Sequence, residues 1–370
     1  MTAPKRTVLH AEHERLGASF TDFGGWDMPL KYGSELAEHR AVREAAGLFD
    51  LSHMGEIRVA GTDAATFLNT ALAGNLSAVA VGRAKYSLIL DEDGGIIDDL
   101  ISYRLSEQEY LVVPNAGNAA LVAELLSERA AGFDVTVTDE TAANSLIAVQ
   151  GPKSAEILER IVDDSQRAVV SDMKYYAVAT VTVAGVSVLL ARTGYTGEDG
   201  FELYVPNDDA QALWDALREA GEDHGLTPAG LAARDSLRLE AGMPLYGNEL
   251  SRDVNPFEAG LGPIVSFKKA ERFVGREALE ALRDATPQRV LVGLRGAGRR
   301  AGRAGYAVTS GAATVGTVTS GQPSPTLGHP IALAYVQPEF AEVGTQLTVD
   351  LRGKAEPFEV VALPFYKRAR

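Results

Sequence analysis

Gly94-Gly95-Ile96-Ile97-Asp98-Asp99-Leu100-Ile101-Ser102-Tyr103 reads as a turn followed by an apolar strand with two adjacent carboxylates in its middle. Successive strand side chains point to opposite faces, so alternation places Ile97, Asp99, Ile101 and Tyr103 on one face and Asp98 and Leu100 on the other. At least one face therefore sets a carboxylate among apolar neighbours, and burying such a group costs free energy unless it is paired or put to use. The strand alone leaves two readings open: turn-proximal carboxylates that are solvated or cap a neighbour, or a perturbed functional group.

Working outward, Tyr86 to Leu90 and Ile96 to Arg104 flank Asp91-Glu92-Asp93-Gly94-Gly95, which predicts an antiparallel hairpin. Leu111-Val112-Val113-Pro114-Asn115 then precedes a helix containing Ala120, Leu121, Leu125 and Leu126. The pattern returns further on. Ile57-Arg58-Val59-Ala60-Gly61 is matched by Leu146-Ile147-Ala148-Val149-Gln150-Gly151, with the glycines 90 positions apart, and each is followed by a helix. Val113-Pro114-Asn115 is matched by Val205-Pro206-Asn207, 92 positions on. Two landmarks at nearly equal offsets predict a duplicated unit, each copy an antiparallel sheet faced by helices. In the second copy Val178 to Val183 and Val186 to Ala191 flank Ala184-Gly185 as a tight hairpin. The Gly-rich segment Arg192 to Leu203 serves either close backbone approach or sharp turning.

A helix is expected near Ser34 to Ala46, and another from Gly230 to Gly242, closed by glycine. Arg234, Leu237 and Arg238 share one side of the latter, so each arginine either pairs with a structural carboxylate or reaches a ligand carboxylate. His39 and His53 lack any recognisable catalytic partner pattern, and no catalytic role is expected of them. Beyond Ala285-Thr286-Pro287, six short segments rich in β-branched residues, from Val290 to Val361, suggest a small all-β barrel or sandwich. The fold class is α+β.

Composition bounds the function. At 370 residues the chain is expected to hold two or three domains. A net charge of −15 argues against nucleic acid as a general partner. No run approaches the length of a membrane span and no signal peptide is visible, so neither a membrane nor secretion is expected. The absence of cysteine excludes a disulfide framework and is compatible with the cytoplasm. Ala285 to Pro338 contains no acid but holds Arg289, Arg295, Arg299, Arg300 and Arg303, a basic island that is either a solvated loop or a site for an anionic tail or acidic protein. Val290 to Ala301 mimics a dinucleotide fingerprint, yet no apolar helix and no downstream acid follow, so that reading is rejected. The six histidines are too scattered for a zinc pattern.

Eight ordered segments carry a resemblance along nearly the whole chain: 23–29 (Phe-Gly-Gly-Trp-Asp-Met-Pro), 50–55 (Asp-Leu-Ser-His-Met-Gly), 94–100, 192–198 (Arg-Thr-Gly-Tyr-Thr-Gly-Glu), 233–235, 238–243, 255–261 and 320–328. In these the chain resembles the T-proteins of the glycine cleavage system, which are folate-dependent aminomethyltransferases. Ala232 stands where that family usually has glycine, and Pro114 where it usually has another apolar residue.

The resemblance implies a three-domain cloverleaf: a discontinuous α+β folate-binding domain of residues 1–52 and 142–278, an inserted α+β domain of 53–141, and a C-terminal β-barrel of 279–370. It implies transfer of the methylene carbon from S-aminomethyl-dihydrolipoyl H-protein to tetrahydrofolate, giving methylenetetrahydrofolate, ammonia and dihydrolipoyl H-protein. A related tetrahydrofolate-dependent demethylase of a small methylated compound is the alternative. By the same resemblance Asp99 is the catalytic carboxylate and Tyr103 a wall of the pterin site. Glu202 holds the amino-pyrimidine edge, with Asn115 and Val113 as further contacts. Met54, Tyr86 and Tyr195 line the rings, and Arg234 and Tyr176 lie near the folate tail. The implied partner is lipoylated H-protein.

Overall fold

Apolar residues on either side of Asp91 to Gly95 pair as the expected hairpin. Arg83–Leu90 runs antiparallel to Ile96–Ser106 in the computed structural model, which describes residues 3–368. The Asp91 carboxylate accepts the Gly95 amide at 2.8 Å and closes the turn, while Gly94 takes the φ of 85° that the turn needs. Strict alternation breaks at Ile97. The register slips between Ile89 and Leu90, and the bulge turns Ile97 into the same helix-covered core as Leu100. Ile97 therefore does not share the face of Asp99, whereas Ile101 and Tyr103 pack on the opposite side of the sheet from Leu100.

The duplication is visible in the sheets. The first runs Arg83–Leu90, Ile96–Ser106, Glu109–Pro114, Ile57–Ala60, Thr136–Asp139, every neighbour antiparallel. The second runs Val178–Val183, Val186–Ala191, Gly200–Pro206, Asn144–Gln150, Ala46–Asp50, Leu226–Pro228. Strand order is the same in both, except that Ala46–Asp50 is inserted before the last strand, and the final pairing becomes parallel. All five residues of that inserted strand are buried, as a central strand covered on both faces should be. The strand is led in by the helix Glu35–Glu44, whose first turn is capped by the Ser34 hydroxyl accepting the Ala37 amide at 3.4 Å.

Each sheet buries one face under helices. Ala64–Ala71 and Ala119–Arg129 cover the first. On the second, Asn207–Gly221 places Ala210, Leu213, Trp214 and Leu217 at helical spacing on the core. Truncating the fully buried Trp214 to alanine would cost about 3–5 kcal/mol, from lost burial and the cavity left behind. The other faces meet: Tyr103, Leu111 and Val113 of the first sheet pack with Leu146, Ala148 and Tyr204 of the second. The sheets are also stitched edge to edge, Ala84 N–H donating to the Tyr176 carbonyl and Val178 N–H to that of Gly82, both at 2.9 Å.

The C-terminal strands close into a six-stranded barrel in the order Val290–Gly296, Pro330–Val336, Ala313–Pro323, Ala307–Ser310, Gln346–Asp350, Ala355–Val361. Closure through the pairing of Gly293 to Gly296 with Phe358 to Val361 decides between barrel and sandwich. The sequence that mimicked a dinucleotide fingerprint is a barrel strand and the loop after it. The barrel is bolted to the rest through the helix Leu231–Glu240. Arg238 binds Asp235, Glu249 and the Ser320 hydroxyl, and Glu240 accepts from Arg43, Thr326 and Ser324. His39 joins this bolt, its ring nitrogens 2.7 Å from Ser236 Oγ and 2.9 Å from Thr326 Oγ1, so its part is structural. Among the described residues no helix is long and apolar enough to cross a membrane.

Candidate active site

The two open faces that meet at the centre do not fill the space between them, and a cavity of about 300 Å3 remains. Asp99 reaches it from the Ile96–Ser106 strand, on the face that regular pairing gives it together with Ile101. Asp98 points the other way and is fully buried. Its carboxylate accepts the Asn115 backbone N–H at 2.9 Å, Asn115 Nδ2 at 2.9 Å and Asn118 Nδ2 at 2.8 Å. Asp99 accepts the Tyr86 hydroxyl at 2.8 Å and Asn115 Nδ2 at 2.8 Å. Burial raises the proton affinity of both groups, against the pull of these hydrogen bonds. At Asp98 the charge of Asp99 adds to burial, and its pKa is pushed up to about 7.

Glu202 reaches the same cavity from the other sheet. Its Oε2 accepts Thr193 Oγ1 at 2.5 Å and the Tyr103 hydroxyl at 3.1 Å, and Tyr204 donates in turn to Tyr103 at 3.2 Å. Oε1 has no protein partner among the described residues, so one oxygen of a fixed carboxylate faces the cavity. Tyr103 itself is fully buried and does not line the cavity. It stands behind Glu202 as a brace, not as the wall that the resemblance implies, because the close packing of the two sheets leaves its ring no open side.

The loop that carries Thr193 explains its glycines. A Cβ at Gly194 or Gly200 would collide with the Gln150 side-chain amide. Gln150 uses that space to donate to the Thr193 carbonyl at 3.0 Å and accept from Thr196 Oγ1 at 2.9 Å. Two of the three glycines thus serve close approach, and Gly197, with φ of 79°, serves the turn.

The other expected residues converge: Met54, Tyr86, Val113, Asn115, Tyr176, Tyr195 and Arg234 all line the cavity. Tyr176 holds a φ of 63°, rare for a bulky residue, and is kept there by its N–H donating to the Arg192 carbonyl and its own carbonyl accepting the Ala84 N–H of the other sheet, both at 2.9 Å. Its carbonyl binds the strand that carries Tyr86, so it belongs to that end of the cavity. The Arg234 guanidinium lies 4.7 Å from the Tyr195 ring centroid, and the Tyr195 hydroxyl donates to the Pro244 carbonyl. The two arginines of this helix differ sharply. Arg238 is neutralised by Asp235 and Glu249, whereas Arg234 makes no ion pair and no side-chain hydrogen bond among the described residues. A larger chamber of about 550 Å3 adjoins, sharing Phe23, Tyr195, Arg234 and Leu245 with the first and bordered by Ala232 and the barrel residue Gln322.

Sequence reasoning missed Phe23, Tyr175 and His53 as cavity residues. Phe23 and His53 sit inside segments that carried the resemblance, and His53 directly precedes Met54; that adjacency was the available signal. The basic island is partly neutralised, Arg295 by Glu359 at 2.6 Å and Arg289 by Glu258 at 3.5 Å, while Arg299 and Arg300 are exposed.

Comparison with known proteins gives a consistent picture. Residues 9–269 match the family model described as the GCVT N-terminal domain, and residues 289–367 match the glycine cleavage T-protein C-terminal barrel domain. The chain is 60% identical over 372 residues to an aminomethyltransferase of Streptomyces avermitilis, covering 100% of this chain and 99% of the relative. It is 59% identical to one of Cutibacterium acnes, with both chains covered completely. The crystal structure of glycine cleavage system aminomethyltransferase T from Bartonella henselae superposes with a TM-score of 0.90 at 37% identity, over 98% of each chain.

Proposed function

The chain belongs to the glycine cleavage T-protein family and is an aminomethyltransferase, and from this premise we propose that its central cavity takes tetrahydrofolate while lipoylated H-protein delivers the aminomethyl group. In balance, the aminomethyl carbon loses its bonds to nitrogen and to the lipoyl sulfur and gains two bonds to folate nitrogens. The two protons leaving those folate nitrogens end on ammonia and on the dihydrolipoyl thiol.

The donor set fits a flat, N–H-rich ring with an anionic tail. Glu202 offers a free, fixed oxygen to paired ring N–H groups, and the aromatic and thioether side chains of Tyr86, Tyr176, Tyr195 and Met54 offer flat apolar contact. Arg234, unneutralised, suits a carboxylate tail. Bound tetrahydrofolate supplies two nitrogen nucleophiles. Asp99, with its proton affinity raised by burial, accepts a proton or stabilises positive charge as the carbon changes partners. Tyr86 and Asn115 hold its carboxylate in place for that work. The observation that carries the reading is Asp99 opening onto an aromatic-walled cavity that also contains the braced Glu202.

The proposal divides the chain into residues 1–52 with 142–278, residues 53–141 and residues 279–370. Insertion of Ala46–Asp50 beside Asn144–Gln150 supports the first grouping. It places the reaction in the cytoplasm. The direct test mixes the purified chain with aminomethylated H-protein and tetrahydrofolate and follows ammonia. Release that requires both reactants is expected; no release with H-protein, together with tetrahydrofolate-dependent loss of the methyl group from a free methylated amine to leave the demethylated amine, would establish the demethylase instead.

A further inference from the structure

Asp98 is 0% exposed, stands next in sequence to the carboxylate that opens on the cavity, and does not itself line the cavity. Its hydrogen bonds among the described residues all come from N–H groups: Asn115 N and Asn115 Nδ2 at 2.9 Å, and Asn118 Nδ2 at 2.8 Å. Neither amide can turn its oxygen round. Asn115 Nδ2 also donates to the Asp99 carbonyl at 3.0 Å and Asn118 Nδ2 to the Ile97 carbonyl at 3.2 Å, so in both side chains it is the nitrogen that faces the strand. Such a cage matches an acceptor-only carboxylate. A proton on Asp98 would point at a donor, which costs free energy in a buried site.

Asp99 is held differently. It accepts the Tyr86 hydroxyl and Asn115 Nδ2 but also opens on the cavity, where a proton on it has room to point away from both donors. One amide nitrogen touches both carboxylates, so the two titrate as a pair, and the donors decide which member takes the pair's proton. The other ionisable groups around them are Tyr86 on the partner strand, Tyr195 in the Gly-rich loop and Tyr246, whose hydroxyl donates to the Ile96 carbonyl at 3.2 Å; Asp91 and the exposed Arg252 act on Tyr246 in turn. Burial raises the pKa of all three tyrosines, which therefore stay neutral at working pH. The negative charge beside Asp99 is that of Asp98.

We propose that Asp98 is a positioning residue for the reaction: fixed in its cage of N–H donors, it keeps its negative charge beside Asp99 and holds Asn115 against it, so that the proton leaving a folate nitrogen goes to Asp99. The inference rests on the folate reading above and commits it to proton transfer, where that reading left proton transfer and a stabilising field side by side. The folate nitrogen loses the proton as it gains its bond to the aminomethyl carbon, and from Asp99 the proton passes to a leaving group. Asp98 meets no ligand and acts only through Asn115 and Asp99.

The experiment follows ammonia release from aminomethylated H-protein and tetrahydrofolate across pH in wild type, Asp98→Asn, Asp99→Asn, the double variant and Asn118→Leu. Asp98→Asn removes the like charge beside Asp99, so the acidic limb of kcat/KM is expected to move to lower pH by about one unit or more, and the rate above the limb to fall roughly tenfold as the base weakens. Added to Asp99→Asn, the same change is expected to cost nothing further, because the group it acts through is gone. An unshifted or raised limb in Asp98→Asn would overturn the proposal, as would a loss that adds in full to that of Asp99→Asn, which is what a merely structural residue gives. Should Asp98→Asn fail to fold, Asn118→Leu decides, since it takes one donor from Asp98 at a half-buried position and makes that carboxylate easier to protonate. It is expected to lose turnover at pH 7 and to regain it by pH 9; no loss, or an equal loss at both, would overturn the proposal. Wild type that releases no ammonia with both reactants present would overturn the folate reading itself, whereas each outcome above overturns this inference alone.

Discussion

Asn115 holds Asp99 through its side-chain amide, Nδ2 lying 2.8 Å from Asp99 Oδ1, and the same nitrogen lies 2.9 Å from Asp98 Oδ1. One amide thus joins two adjacent carboxylates that point to opposite faces of a strand. Removing it takes a hydrogen bond from the ionised form of each, which raises their proton affinity. Asn115→Leu is expected to move the acidic limb of the kcat/KM profile to higher pH and to lower turnover at neutral pH by roughly tenfold or more. An unshifted limb would show that Asn115 does not tune the pair.

Asp99 is the carboxylate that opens on the cavity, and Asp98 is enclosed by three N–H donors. Asp99→Asn is expected to keep tetrahydrofolate affinity and lose turnover by about a hundredfold or more, the range for a positioned acid-base group. Single-turnover ammonia release measures it. Full activity in Asp99→Asn would remove Asp99 from the mechanism.

Glu202 is braced by Tyr103 and Thr193 on one oxygen only. Glu202→Gln puts an N–H where the ligand presents N–H, so tetrahydrofolate Kd is expected to rise about tenfold or more, consistent with a lost charge-assisted pair. Tyr103→Phe, which removes only the brace, is expected to cost less. Calorimetry that finds the two variants equal to wild type would reject the clamp.

Glu56 lies outside the cavity, 2% exposed, and burial raises its pKa from 4.5 to about 8, with Glu140 adding and Asn144 and Arg58 opposing. Between those two values the folded chain keeps a proton that the unfolded chain has lost. Stability from this group is therefore complete below about pH 4.5 and is lost as pH rises through 8. Glu56→Gln is expected to melt higher than wild type at pH 8, with the difference shrinking toward pH 5. Thermal denaturation at the two pH values checks this, and a constant difference would assign the effect to something other than ionisation.

Much of the architecture was legible because it is written in local pattern. The Ala184-Gly185 hairpin, the helix capped by Ser34 and the six C-terminal strands all fall where period and turn residues place them. The likeness of the two sheets followed from the repeat, since equal spacing of equivalent landmarks makes equivalent pairings, whereas the strand order itself and the inserted Ala46–Asp50 with its parallel neighbour did not. Barrel and sandwich share one strand pattern, and only the long-range pairing of the first and last strands separates them. Ile97 was misplaced because a bulge is a property of two paired strands, and strict alternation along one of them cannot reveal it.

By itself the sequence determined the hairpin that carries Asp98 and Asp99, the doubled α+β plan and the segments that identify the family, because these depend on residues near one another or on motif content. Only the tertiary structure decided what each polar side chain faces. Among the described residues it set Tyr103 behind Glu202, left Arg234 without a carboxylate while Arg238 found two, and left the ring nitrogens of His53 buried and unpaired. Those outcomes turn on which faces of two sheets meet and how far apart they stay. Such distances are set by packing across the whole fold, where side chains far apart in sequence compete for the same space and the same hydrogen-bond partners.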